Sequence, residues 1–391
     1  MAQILALALL PIAMGIALIG AYLVMLTVAA ALYRPRPLRS PERRTFAVLV
    51  PAHDEARVIG RVLESLRKQS YPREKIAIFV VADNCSDATA SVARRAGAVV
   101  YERQDEQLRA KGHALRWLLE RVHVHGHFDA YVILDADSVV GDDFMHHMDA
   151  LLEAGSKVIQ GRYGVLNASA SPLSALRDAA FASLHFVRPL GRRSLGLSCG
   201  LKGNGMCFDA ATLEAHGWTA SGLAEDVELH LALVRAGLRV DFAPDAVVRA
   251  DMPTTLRGAT SQNMRWEAGR LTAARNDVPR MLLDGLRSRN LVVVDACIEQ
   301  LIPPLSVAVA LGSATTVLAA LVGASLGSIL ALAGTLAMLG HVMAGLFAVK
   351  APWRTYLALL GAPPYIAWKL VVYLRAITVR SRLAWVRTPR S

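Results

Sequence analysis

Acidic side chains stand where three apolar runs of this sequence stop. Asp135 and Asp137 follow Val132-Ile133-Leu134. Asp83 and Asp87 frame Asn84-Cys85-Ser86 after the run 76–82, and Asp54 and Glu55 follow Pro51-Ala52-His53 after the run 46–50. Carboxylate oxygens are the ligands that hard cations such as Mg2+ or Mn2+ take, and these ions keep positions for phosphate oxygens as well. Successive side chains of a strand point to opposite faces, so Asp135 and Asp137 share a face at a strand end and can approach one diphosphate-bound cation. Asp83 and Asp54, at neighbouring strand ends, would then lie beside a base and a ribose. None of these runs is followed by the glycine-rich loop of a dinucleotide or P-loop site.

The elements that must position these groups follow from hydrophobic spacing. The apolar runs 46–50, 76–82, 98–101 and 131–134 alternate with helical spacing over 57–68, 88–96 and 114–122. That βαβαβ order predicts an α/β fold, a mostly parallel, doubly wound sheet with helices on both faces and ligands beyond the carboxyl ends of its strands. Further on, Glu225 and Asp226 open a helical pattern ending near Gly237. A carboxylate on the first turn feels the positive helix end, which favours the ionised form that a general base needs. Gln262, Arg265 and Trp266 stand at i, i+3 and i+4 and share one helix face. There a guanidinium can pair with a diphosphate and an indole can stack on a sugar ring. The same pattern suits an amphipathic helix lying on a membrane.

With 391 residues, 54% of them hydrophobic and 19% charged, and a mean hydropathy of +0.36, the chain is too apolar for an ordinary soluble enzyme and too charged for a pure membrane bundle. Residues 1–33 carry no charge, enough for a membrane-spanning helix, and lack the basic start of a signal peptide. An arginine and proline linker, 34–44, follows. Basic residues flank the cytoplasmic ends of spans, which places the start of the chain outside and the domain 45–250 in the cytoplasm, with interfacial helices over 251–297. Residues 298–350, bounded by Arg280, Arg287 and Arg289 before and Lys350 and Arg354 after, read as a transmembrane hairpin broken near Gly323. Residues 351–391, with Pro363, Pro364, Lys369 and a basic tail, read as a re-entrant or interfacial segment. Juxtamembrane arginines on anionic lipid account for much of the net charge of +11, with no need of nucleic acid. Cys85, Cys199, Cys207 and Cys297 lack close CxxC spacing and read as reduced, mostly buried thiols.

Taken in order, Val50-Pro51-Ala52-His53-Asp54-Glu55, Ala82-Asp83-Asn84-Cys85-Ser86-Asp87, Lys111-Gly112, Asp135-Ala136-Asp137, Glu225-Asp226 and Gln262-Asn263-Met264-Arg265-Trp266 resemble family 2 glycosyltransferases of the cellulose, chitin and hyaluronan synthase type. The resemblance implies a GT-A fold, a nucleotide-sugar donor (usually a UDP-sugar), Mg2+ or Mn2+, and inversion at the anomeric carbon. It matches Asp226 to the base, Asp137 to the metal ligand and Asp135 to a donor or cation contact. Pro51, Ala52, Asp54, Glu55, Asp83, Lys111, Gln262 and Arg265 fall at donor positions, and Trp266 and Glu225 at acceptor positions. Gly203-Asn204-Gly205 resembles a loop that closes over the donor sugar, a composition that a plain turn shares. Ala224 stands where the family's TED motif has threonine.

The resemblance favours a growing polysaccharide or oligosaccharide as the acceptor, with a membrane lipid as the alternative. A secreted polymer needs a water-lined path, for which about three spans offer little material unless a homo-oligomer or secretion partner contributes. The setting implied is a bacterial-type inner membrane. Asp87 and Asp142 read as helix N-caps, and His123, His125, His127, His146 and His147 as surface residues. Residues 173–193 read as an amphipathic segment resting on the membrane. A noncatalytic nucleotide-sugar sensor would have lost one of Asp135, Asp137 and Asp226, all of which are present.

Overall fold

The computed structural model describes residues 2–35 and 39–378. Helix α1, Ala2–Ala31, leads into β1 (Phe46–Ala52), α2 (Ile59–Arg67), β2 (Ile76–Asp83), α3 (Thr89–Arg95), β3 (Val99–Arg103), α4 (Lys111–Val122) and β4 (Ala130–Ile133). These strands pair in parallel in the order β3-β2-β1-β4. Their near-continuous apolar runs suit burial on both faces. Val48 and Val50 pack with Val62 and Leu66 of α2, whereas Ala47 and Leu49 pack with Leu115 and Leu118 of α4.

The second half of the sheet is mixed rather than mostly parallel. It comprises β5 (Ser138–Val140), α5 (Phe144–Glu153), β6 (Val158–Val165), α6 (Pro172–Ala182), a π-turn at Ser183–Val187, α7 (Arg188–Ser194), β7 (Met206–Asp209), α8 (Ala210–His216), α9 (Glu225–Arg235) and β8 (Val240–Ala250). Strand β7 lies antiparallel between β4 and β6, with Met206 opposite Ile133. The chain arrives at β7 from α7 and the loop 195–205, at the end where β4 finishes, so it can enter only head to tail. The same register sets residues 203–205 beside Asp135.

Segment α6–α7 is not a membrane-surface helix. Leu173, Leu176, Arg177, Phe181 and Arg192 are buried against other helices, because apolar residues occur nearly all round it. The N-cap position of α3 is Ala88, and Asp87 stands one residue before it, its Oδ1 accepting from Thr89 N at 2.9 Å. Asp142 does not cap α5. The N-cap position belongs to Asp143, whose carboxylate is drawn off by Ser70 Oγ at 2.7 Å. His123, His125 and His127 are exposed, while His146 and His147 are half-buried.

Beyond the sheet come α10 (Leu256–Asn276), α11 (Val278–Arg287), α12 (Leu291–Leu301), α13 (Leu305–Leu321), α14 (Ser325–Ala348), α15 (Trp353–Ala358) and α16 (Ala362–Thr378). Helices α1 and α14 and the stretch Trp353–Thr378 are long and apolar enough to cross a membrane, and α12 with α13 forms a fourth if this pair, bent by 71°, is one span. Pro303 and Pro304 sit at that bend, where a missing N–H interrupts the hydrogen-bond ladder. Pro363 and Pro364 leave the stretch 353–378 helical, because they fall in the first turn of α16, where the ladder has no N–H to lose. Arg36, the middle of the arginine linker, and the basic tail from Arg380 lie outside the described residues.

Two contacts fasten this bundle. A Cβ added at Gly20 of α1 would lie 2.8 Å from Gly334 Cα, and one at Gly334 of α14 would lie 2.5 Å from the Ile16 carbonyl oxygen, so the two backbones touch through glycines. Arg192 of α7 donates from Nε to Asp295 Oδ2 of α12 at 2.8 Å and from Nη2 to Tyr22 OH of α1 at 2.7 Å, tying three elements together. Replacing Gly334 with Leu is expected to push α1 off α14 and to lower the melting temperature in detergent, read by tryptophan fluorescence. Leu at Gly340, where an added Cβ meets nothing within 4 Å, should leave it unchanged.

Candidate active site

The strand ends open into a cavity of about 1290 Å³. Pro51, Ala52, His53 and Glu55 line it beyond β1, Asp83 and Asn84 beyond β2, and Asp135 and Asp137 beyond β4. Asp83 is aimed by its neighbours: Arg103 Nη1 donates to its Oδ1 at 2.5 Å, and its carbonyl lies 2.7 Å from His53 Nδ1. Asp105 N donates to Asn84 Oδ1 at 2.8 Å, holding the turn after β2 against the loop after β3.

Lys111, the first residue of α4, reaches across the middle of the cavity. Its Nζ donates to Asp135 Oδ1 at 2.5 Å and to the Gly203 carbonyl, and lies 3.9 Å from Glu225 Oε1. Burial works against its charge, but Asp135 and Glu225 raise its pKa above the ordinary lysine value. Gly112 makes this approach possible, since a Cβ there would stand 3.1 Å from Ser221 Cα and overlap the Ala220 carbonyl. The residues present fit a hard divalent cation. Asp135 and Asp137 offer oxygen donors on one cavity wall, and Asp135 already draws a cationic ammonium.

Glu225 and Asp226 begin α9 and line the same cavity. Burial outweighs the helix end here and raises both carboxyls, Glu225 to about 7; Lys111 opposes the rise at Glu225, and Lys202 and Lys111 oppose it at Asp226. Asp226 therefore holds its proton more readily than a surface aspartate. Gly203, in the left-handed region at φ 76°, passes close to it, with a Cβ there falling 3.6 Å from Asp226 Oδ2.

Helix α10 carries Gln262, Arg265 and Trp266 to the opposite wall. Its docking explains Ala224: a Cβ on Gly269 would stand 2.6 Å from the Ala224 Cβ, so α10 packs on that residue and leaves no room for a threonine branch. On its other side Lys369 of α16 donates to Asn263 Oδ1 at 2.6 Å and Glu267 Oε1 at 2.8 Å.

Three sequence-named residues stand behind the cavity wall. Asp54, at φ 54°, accepts at Oδ1 from Ser86 N at 2.7 Å and Asp87 N at 3.2 Å, so it orders the turn after β2. Asn204 is fully buried, accepting at Oδ1 from Asp135 N at 3.1 Å and donating from Nδ2 to Ser138 Oγ at 2.8 Å. Gly205 donates to the Ile133 carbonyl at 3.0 Å, and Val248 closes off the space beside it. Asn204 and Gly205 thus act on Asp135 from behind. Sequence reasoning missed Tyr163, Arg177, Lys202 and Glu267, all on the cavity wall. Only Lys369, a lysine inside an apolar run, left a signal that could have found its partner.

A parallel half-sheet with acidic strand ends, a carboxylate pair at its switch to mixed pairing and a second buried pair opposite make up a fold of the GT-A type. Residues 41–269, more than half of the chain, match the family described as glycosyltransferase like family 2, and the chain belongs to that family. It is 24% identical over 232 residues to the probable glycosyltransferase YdaM of Bacillus subtilis (57% of this chain, 54% of that one). It is 25% identical over 235 residues to glucomannan 4-beta-mannosyltransferase 7 of Arabidopsis thaliana (57% and 42%), and 24% identical over 230 residues to the poly-beta-1,6-N-acetyl-D-glucosamine synthase of Staphylococcus aureus (56% and 53%). The chain thus spans about half the length of the curated relatives it matches. Its fold is similar to that of the mannosyltransferase PcManGT from Pyrobaculum calidifontis in complex with GDP-Man and Mn2+, with a TM-score of 0.59 at 21% identity, covering 90% of this chain and 99% of that one.

Asn204→Ala strands the Asp135 N–H and the Ser138 hydroxyl. It is expected to destabilise the protein by about 1–3 kcal/mol, the cost of buried polar groups left unpaired, and to raise the Mn2+ concentration needed for half-maximal donor hydrolysis. Denaturant unfolding of the variant against the parent checks the first effect and a metal titration the second.

Proposed function

We propose that this protein is an inverting, divalent-cation-dependent glycosyltransferase that moves a sugar from a nucleoside diphosphate donor, uridine by resemblance, to a hydroxyl of a membrane lipid. The observation that carries the choice of acceptor is the course of the cavity. From Asp83 it passes Asp135 and Asp226 and continues between the C-terminal helices, where Val309 of α13, Leu339 and Val342 of α14 and Ile366 of α16 line it. Such a wall suits acyl or prenyl chains, whereas a path for a polysaccharide needs polar groups along its length. A glycan acceptor is the second reading, supported by Trp266, 38% exposed at the cavity rim, and by the polymer-synthase names of two relatives.

In this reading Asp83 takes the nucleoside, and Asp135 and Asp137 would hold the cation, which would supply neutralising charge for the diphosphate leaving group. Lys111 and Arg265 flank the same charge from opposite walls. Asp226 accepts the proton of the acceptor hydroxyl. The new bond from its oxygen to the anomeric carbon forms as the bond from that carbon to the diphosphate breaks, and the diphosphate departs with the electron pair. Glu225, whose charge is shared with Lys111, orients the acceptor beside it. The arginines at 34 and 39 on one side, and Lys350 and Arg354 on another, would set the catalytic domain on the cytoplasmic face with the start of the chain outside.

Purified protein incubated with labelled nucleotide sugars, Mn2+ and total lipid extract is expected to label the organic-soluble fraction; absence of both transfer and donor hydrolysis across the panel would sink the enzyme reading. Asp226→Asn should cut transfer by about 100-fold or more while donor binding survives. Because burial raises the pKa of the base, its working anion is lost as pH falls at a higher pH than for a surface aspartate. Glu225→Gln removes a like charge and should move the acid limb of the rate profile to lower pH; a limb that stays in place argues against Asp226 as the titrating base.

A further inference from the structure

Arg177 of α6 lies on the cavity wall and is only 2% exposed, yet it has no ion pair among the described residues. Its Nη1 reaches Gln262 Oε1 at a long 3.4 Å, and its Nε and Nη2 find no hydrogen-bond partner. A guanidinium carries five donors and does not give up its charge, so burying it this way is destabilising, and an apolar side chain of similar length would fill the place without that cost. The groups that face it are the Tyr163 and Tyr365 rings and Glu267. Glu267 is already engaged by Lys369 at 2.8 Å and Arg270 at 3.2 Å, and it makes no ion pair with Arg177. The Arg177 charge stands where the polar half of the cavity meets the apolar half, with the Trp266 ring 5.4 Å from the guanidinium carbon. Tyr163, on the same cavity wall, feels the charges of Asp135 and Asp137 as well as that of Arg177.

We infer that Arg177 is an acceptor subsite for an anion, and that the acceptor is a phosphate-bearing lipid whose phosphate pairs with Arg177 while its chains occupy the apolar arm. The inference rests on the lipid reading of the acceptor proposed above. A phosphate oxygen fits the paired donors of a guanidinium, and Trp266 beside it gives a ring on which the rest of a headgroup can lie. The lipid that fits both Arg177 and the hydroxyl chemistry is a phosphodiester with a free headgroup hydroxyl, such as phosphatidylglycerol.

The test uses the full-length protein in detergent with Mn2+, the labelled nucleotide sugar that it hydrolyses best, and phosphatidylglycerol, undecaprenyl phosphate or diacylglycerol as sole lipid. Phosphatidylglycerol should be labelled at least about tenfold better than diacylglycerol, the scale of a charge-assisted hydrogen bond. Arg177→Met should raise KM for that lipid by about 10- to 100-fold and erase the preference over diacylglycerol, with KM for the donor within about twofold of the parent, and Arg177→Lys should recover part of the preference. Label on undecaprenyl phosphate, which has no hydroxyl and needs no base, would overturn the assignment by making the phosphate the nucleophile instead of the anchor. Diacylglycerol labelled as well as phosphatidylglycerol, a preference that survives Arg177→Met, or a raised donor KM would each overturn the assignment while leaving a lipid glycosyltransferase standing. Label found only in a water-soluble polymer would overturn the lipid reading and the subsite with it.

Discussion

A lysine inside an apolar helix can be kept only if it finds an acid, and Lys369 of α16 finds Glu267 and Asn263 on α10. Removing either charge would leave the other buried and uncompensated, which is far more costly than never having the pair. The pair therefore fixes how α10 and α16 face each other, and Trp368 adds a second tie through Nε1 to Thr260 Oγ1 at 3.2 Å. On the opposite side of α10, Gly269 settles on Ala224 at the start of α9. One helix is thus clamped between α16 and the helix that begins with Glu225 and Asp226. Gln262, Arg265 and Trp266 project from it into the space between.

The same logic of paired burial runs through the rest of the site. Glu299 of α12 lies 3.0 Å from Arg192 Nη1 and accepts from Lys202 Nζ at 3.1 Å. Arg192 in turn reaches Tyr22 on α1, and Lys202 is the strongest charge opposing the raised pKa of Asp226. A chain of compensated charges therefore leads from the first apolar helix to the carboxyl that would act as base. Each link is buried, so each is little screened by salt and intolerant of a missing partner. The membrane helices are in this sense part of the electrostatics of the site, beyond anchoring it.

Strands β1 to β4 and the acidic residues at their ends were legible because a buried parallel strand is a continuous apolar run, and whatever ends it faces the ligand side of the sheet. The antiparallel β7 was not, since Met206-Cys207-Phe208 is too short a run to announce its direction, which is set by where the chain returns from α7. Asp54 looks like a ligand residue by its position at a strand end. Its left-handed backbone turns the side chain onto the amides of Ser86 and Asp87, a rotation no sequence pattern encodes. Asn204 and Gly205 fit a flexible loop by composition, yet they are the rigid backing of Asp135. The segment 173–193 misled because its arginines suggest a wet face. In the fold those arginines turn to partners in the protein, Arg192 and Arg193 to carboxylates and Arg177 and Arg188 to the cavity.

That last difference bears on what the cavity is for. Arg192 is a buried cation with a structural reason, since Asp295, Glu299 and Tyr22 surround it. Arg177, fifteen positions earlier on the same run of helix, has the burial without the acids. If both served only to hold helices together, selection for stability would favour supplying Arg177 with a carboxylate or replacing it with an apolar residue. Its place at the boundary between the carboxylate-lined and apolar parts of one continuous space gives the missing counter-charge a location, and that location is where an amphiphile entering from the membrane would present its headgroup to Asp226.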